Sequence, residues 1–98
     1  MTNPVITAVA AGGWVKVATN VTCVGAMPLK QLPYMYTYRD TGDPAPTLTT
    51  EGAKLPAVGR SFSSPTAFDL YIWCTDAGGT AGSIRVDVGF QAEYLIDA

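Results

Sequence analysis

Ser83-Ile84-Arg85-Val86-Asp87-Val88-Gly89-Phe90 alternates along its whole length, with Ile84, Val86, Val88 and Phe90 on one side and Arg85 and Asp87 on the other. Side chains of an extended chain point to opposite faces at period two, so this is a strand with one dry and one wet face. Phe68-Asp69-Leu70-Tyr71-Ile72-Trp73-Cys74 repeats the pattern, with Phe68, Leu70, Ile72 and Cys74 inward and Asp69, Tyr71 and Trp73 outward. The Gly-rich stretch from Thr75 to Gly82 predicts a flexible turn joining the two as an antiparallel hairpin.

Working outward, Trp14 to Val24 alternates so that Val15, Val17, Thr19, Val21 and Cys23 share a face, in a run long enough to bend, or to break into two strands, near Asn20. Tyr34-Met35-Tyr36-Thr37-Tyr38-Arg39 puts its tyrosines on one face and Met35, Thr37 and Arg39 on the other. Either face can be the inward one. The segment 40–66, with Gly42, Pro44, Pro46, Gly52, Pro56, Gly59 and Pro65, reads as a long loop carrying one or two short edge strands, because proline demotes a run to an edge. No helical periodicity survives without an interrupting Gly or Pro. The expected fold is all-β, a small antiparallel sandwich or barrel of six to eight short strands, in one domain spanning 1–98.

Composition narrows the function. With no His among 98 residues, Ser-His-Asp and Cys-His catalysis and His-ligated zinc or haem are excluded. Charged residues make up 14% of the chain, and the net charge is −2. Lys16, Lys30, Arg39, Lys54, Arg60 and Arg85 are scattered singly, so no basic patch exists for a phosphate backbone or an anionic membrane. Neither a nucleic-acid nor a membrane partner is expected. The first residues lack the charged and apolar blocks of an export signal, which points to synthesis in a cytoplasm and to reduced thiols at Cys23 and Cys74. Their pairing across about 50 residues is the alternative.

Other constellations have ordinary explanations. Asp40 and Asp43 flank Gly42 in an acidic turn without the ligand spacing of a calcium loop. Asp69 and Asp87 are the only acids placed for a carboxylate pair, and cross-strand pairing with a base accounts for them. No catalytic residue, cofactor or metal site is expected. Tyr34, Tyr36, Tyr38, Tyr71 and Trp73 form either the second face of a core or an aromatic interface. Apolar side chains reach both ends, with Val5, Ile6 and Val9 near one and Tyr94, Leu95 and Ile96 near the other. Segments 1–11 and 91–98 are therefore edge strands of the same sheet or contact arms that add to a neighbouring subunit.

Trp14-Val15-Lys16-Val17-Ala18-Thr19, the tyrosine strand followed by Gly-Asp-Pro-Ala-Pro at 42–46, and Phe68–Trp73 followed by Gly78-Gly79 and Ser83–Val88 resemble in style the small virion proteins of tailed bacteriophages, the capsid decoration (cement) and fibre domains. The resemblance implies a non-enzymatic part of a virion, assembled in the host cytoplasm. Its partners would be the major capsid protein or other virion subunits, and it would stabilise the assembled shell as a homo-oligomer, with a trimer favoured. The termini and the central loop would carry the contacts. A tail or connector component is a further option within the same particle. The other reading is an immunoglobulin-like binding or adhesion module. Cys23 and Cys74, with the aromatic-bearing run Asp69-Leu70-Tyr71-Ile72-Trp73 leading into the second Cys, are similar to that fold, although tyrosines stand where its core Trp belongs.

Overall fold

The computed structural model describes residues 5–9, 12–30, 32–47, 52–75 and 78–88, the side chains of 5–8 excepted. The chain is all-β and antiparallel, without a helix among the described residues. Its strands are β1 (Val5–Val9), β2 (Trp14–Pro28), β3 (Tyr34–Asp40), β4 (Ala53–Lys54), β5 (Arg60–Cys74) and β6 (Gly82–Val88). They form one six-stranded sheet in the order β1-β6-β2-β5-β3-β4.

This order corrects the expected hairpin. β5 and β6 are consecutive in sequence, yet β2 runs between them, pairing Val24 with Phe62 on one side and with Val88 on the other. The Thr75–Gly82 segment is therefore a crossover. The segment 40–66 also contains more sheet than its prolines suggest. β4 is the expected short edge strand, but β5 begins at Arg60, and Pro65 lies inside it. Between Cys23↔Ser63 and Val21↔Phe68, one residue of β2 faces four of β5, residues 64–67. Pro65, which has no N–H for a ladder, sits in that bulge.

β2 bends without breaking. Asn20 has φ 54°, the left-handed region that Asn tolerates better than most residues. Register shifts between Lys16 and Cys23 reverse the strand's parity. The β2 side chains in the core are consequently Ala18, Val21, Val24 and Ala26, while Thr19 is exposed and Cys23 half-buried. The face expected to hold Val15, Val17, Thr19, Val21 and Cys23 is not continuous.

The sheet curls. In a flat sheet, β6 and β3 would stand three strand spacings apart, about 14 Å. Instead the phenolic oxygen of Tyr34 accepts a hydrogen bond from the Ser83 backbone N–H (3.1 Å) and donates one to the Lys30 carbonyl (3.1 Å). The Tyr34 ring lies against Gly82, where any Cβ would collide with it. Inside the curl, Val24, Leu70, Ile72, Cys74, Ile84 and Val86 pack as the core with Tyr34 and Phe62. The inward sets expected for β5 and β6 are found there. Phe90 lies outside the described residues.

The outward acids are a second correction. Asp69 and Asp87 are 2% and 1% exposed, not on wet faces. Asp69 is paired across strands with a base as expected, Lys16 of β2 at 3.5 Å, whereas Asp87 is 3.5 Å from Arg85 on its own strand. Cys23 and Cys74 form no disulfide. Cys23 stands opposite Ser63, eleven positions from Cys74 along β5, far beyond the Cα separation of about 7 Å that a bridge can span.

Candidate functional site

The tyrosines of β3 do not act as one set. Tyr34 and Tyr36 are buried, at 1% and 9% exposure, and belong to the core, whereas Tyr38 on the same face is 57% exposed. The reason is position along the curl. Tyr34 faces Gly82 and Ser83, but Tyr38 lies toward the end of β3, on the wall of an open cleft. Tyr71 and Trp73 are on the opposite face. Tyr71 is buried, with the Lys16 ammonium 5.8 Å from its ring centroid. Trp73 is half-buried and meets its cross-strand partner Trp14 edge-to-face, with centroids 5.3 Å apart. An interface made of all five aromatic residues is thus not assembled: Tyr38 is the only one of them that is broadly exposed.

The terminal residues separate in the same way. Val5 and Ile6 belong to β1, with Val86 and Arg85 as partners, and Val9 is fully buried. Residues 5–9 are therefore an edge strand of this sheet. Among the described residues, no strand pairs with the outer side of β1. Tyr94, Leu95 and Ile96, with the rest of 91–98, lie outside the described residues.

A cleft of about 350 Å³ opens at the mouth of the curl. Tyr38, Phe62 and Phe68 form its aromatic wall, with Tyr38 6.5 Å from Phe62 and 6.1 Å from Phe68 between ring centroids. Asp40 and Arg60 supply opposite charges, and Ser61, Ser63 and Ser64 line the remainder. Arg60 is fixed in place: its guanidinium carbon is 5.2 Å from the centroids of both Tyr36 and Phe62, and its Nη1 donates to the Tyr36 hydroxyl. Such stacking restrains a side chain that would otherwise sample many rotamers. The signal for this cleft in the sequence is the short run Arg60-Ser61-Phe62-Ser63-Ser64, whose alternation is masked by the Pro65 that follows.

Elsewhere, polar groups hold the fold. Asp69 Oδ1 accepts from the Asn20 N–H (2.8 Å) and the Thr41 hydroxyl (2.9 Å), and Oδ2 is 3.5 Å from the Lys16 ammonium. The Asn20 N–H foremost, then Thr41 and Lys16, holds this carboxyl below the usual carboxylate range despite its burial. Burial pushes the Tyr34 phenol above its ordinary value, against the opposing effect of the Ser83 N–H. Asp40 and Asp43 form an exposed turn closed by the Asp43 N–H on the Asp40 carbonyl (3.0 Å). Among the described residues, no three His, Cys, Asp or Glu side chains gather as metal ligands.

No family model, curated protein or solved structure matches the chain.

Proposed function

We propose that the chain is a non-enzymatic structural subunit of a tailed-bacteriophage virion, a capsid decoration protein that binds and stabilises the assembled shell. In this reading the curled sheet works as a small barrel or sandwich and the subunits associate as a trimer on the major capsid protein. One observation carries it. β1 ends the sheet as Val-Ile-Thr-Ala-Val, without the Lys, Pro or bulge by which a solitary domain blunts an edge. An edge of that kind is suited to strand addition from a neighbouring subunit. Low overall charge fits a surface that is partly covered in an assembly.

Light scattering at micromolar concentration tests the reading. Three chains of 10.3 kDa, about 31 kDa together, are expected for the wild type. Ile6→Glu, which sets an acid opposite Arg85 and so keeps β1 on β6 while charging the edge, is expected to give monomers with unchanged circular dichroism. A wild-type monomer that also fails to sediment with phage heads overturns the proposal.

A further inference from the structure

The cleft at the mouth of the curl is lined by β3 and β5 and includes no residue of β1, on whose edge the assembly reading rests. We propose that it binds a neutral saccharide, with one pyranose ring stacked on Tyr38.

Three features carry this. First, Tyr38 is held between Phe62 and Phe68 at 6.5 and 6.1 Å yet keeps 57% of its surface exposed. A hydrophobic ring that is fixed by its neighbours and still open to solvent offers a stacking platform at little entropic cost. The axial C–H face of a pyranose is the apolar surface that such a platform accepts.

Second, the polar groups around the platform include both donors and acceptors. Every sugar hydroxyl can both donate and accept hydrogen bonds, so a cleft that offers a carboxylate acceptor and a guanidinium donor can satisfy several of them. Asp40 and Arg60 both line this cleft, one an acceptor and the other a donor. The Ser64 hydroxyl oxygen already accepts from the Thr66 N–H (3.2 Å), which leaves its own proton to donate. An anionic ligand fits less well, because the Asp40 carboxylate on the same cleft would repel it.

Third, the volume of about 350 Å³ is near the lower end of small-ligand clefts, roughly 300–1,000 Å³, and leaves room for one or two sugar rings. A linear peptide would more readily use the edge at β1, where backbone groups are available. The four-residue bulge at 64–67 gains a purpose in this account. Residues at either end of it, Ser63, Ser64 and Phe68, line the cleft.

The test is a titration of the isotope-labelled full chain with glucose, galactose, mannose, N-acetylglucosamine, lactose and maltose, read by amide chemical shifts. At least one sugar is expected to shift Tyr38, Asp40, Arg60–Ser64 and Phe68 saturably, with a Kd on the order of 1–10 mM. Tyr38→Ala should weaken that binding at least about tenfold while Tyr38→Phe retains it, since the ring face and not the hydroxyl makes the contact. Asp40→Asn should weaken it less. The exposure of Tyr38 and Asp40 leaves all three variants folded. The proposal is overturned if none of the six sugars shifts the cleft, if the shifts persist in Tyr38→Ala, or if sodium acetate or sulfate alone reproduces them.

Discussion

The carboxylate of Asp69 accepts the backbone N–H of Asn20 at 2.8 Å, joining residues 49 positions apart at the point where β2 turns left-handed. The contact explains why β2 bends at Asn20 and continues. The bulge leaves the Asn20 N–H outside the ladder, and a hydrogen bond to an ionised acceptor there is worth about 1.5–3 kcal/mol at most. Asp69 is that acceptor while also holding Thr41, at the end of β3.

Asp69→Ala removes the acceptor of both donors and the partner of Lys16, all on exposed residues that water can reach, and a loss of about 1–2 kcal/mol is expected by urea denaturation. Asn20→Val should cost about 1–2 kcal/mol or more, because a β-branched side chain clashes at φ 54°. Asn20→Gly, with no Cβ, should change stability by less than about 1 kcal/mol. Equal losses in the Val and Gly variants would show that the left-handed backbone is not what selects Asn.

Acid should weaken the same junction. The folded-state carboxyl of Asp69 titrates below its unfolded value, so its contribution is fully present above the unfolded pKa of about 4 and is lost as pH falls through the folded value. Denaturant midpoints measured from pH 6 down to pH 2 should therefore decline below about pH 4, and decline less steeply in Asp69→Asn. Parallel curves for the two proteins would remove Asp69 as the source.

Much of the sheet is legible from local pattern. Phe68, Leu70, Ile72 and Cys74, and Ile84 and Val86, face inward because β5 pairs with β3, and β6 with β1 and β2, without interruption where they lie, so period-two alternation maps directly onto burial. β2 escapes this logic. Its parity is reset by register shifts whose anchor, Asp69, is remote in sequence, and a shift of one residue sends every later side chain to the other face. The insertion of β2 between β5 and β6 is likewise a long-range pairing that no local signal encodes. Asp69 and Asp87 mislead for a related reason: alternation assigns them to the outer face, but cannot reveal that other groups cover that face. The cleft is hidden because Arg60, Phe62 and Phe68 come together only once the bulge around Pro65 exists.

Tyr34 and Gly82 make a reciprocal pair, one filling the space that the other leaves. Tyr34→Phe keeps the ring and removes the hydroxyl, which deprives the Ser83 N–H of its acceptor and the Lys30 carbonyl of its donor. A cost of about 1–2 kcal/mol is expected. Gly82→Ala should cost more, since its Cβ meets the tyrosine ring in a core with no slack. The double variant Tyr34→Leu with Gly82→Ala should then lose less than the sum of its parts; strict additivity in that cycle would contradict the contact.

Alkali tests the same residue from the other side. Burial raises the folded-state pKa of Tyr34 above the phenol's usual value of about 10, so its stabilising contribution is complete below that value and is lost as pH rises through the folded pKa. Wild-type stability should fall above about pH 10 more steeply than that of Tyr34→Phe.

The two cysteines should differ in reactivity. Cys74 is fully buried and its thiol donates to the Thr80 carbonyl at 3.3 Å, while Cys23 is half-buried. A thiol reagent reacts with the thiolate that it can reach, so access sets the rate. Titration of native protein prepared without reductant should modify Cys23 first, with Cys74 following at the rate of opening or unfolding, and denaturant should yield both thiols at once. Recovery of no thiol in denaturant would mean that a bridge had formed, which requires β5 to be rebuilt over the eleven positions that separate Ser63 from Cys74.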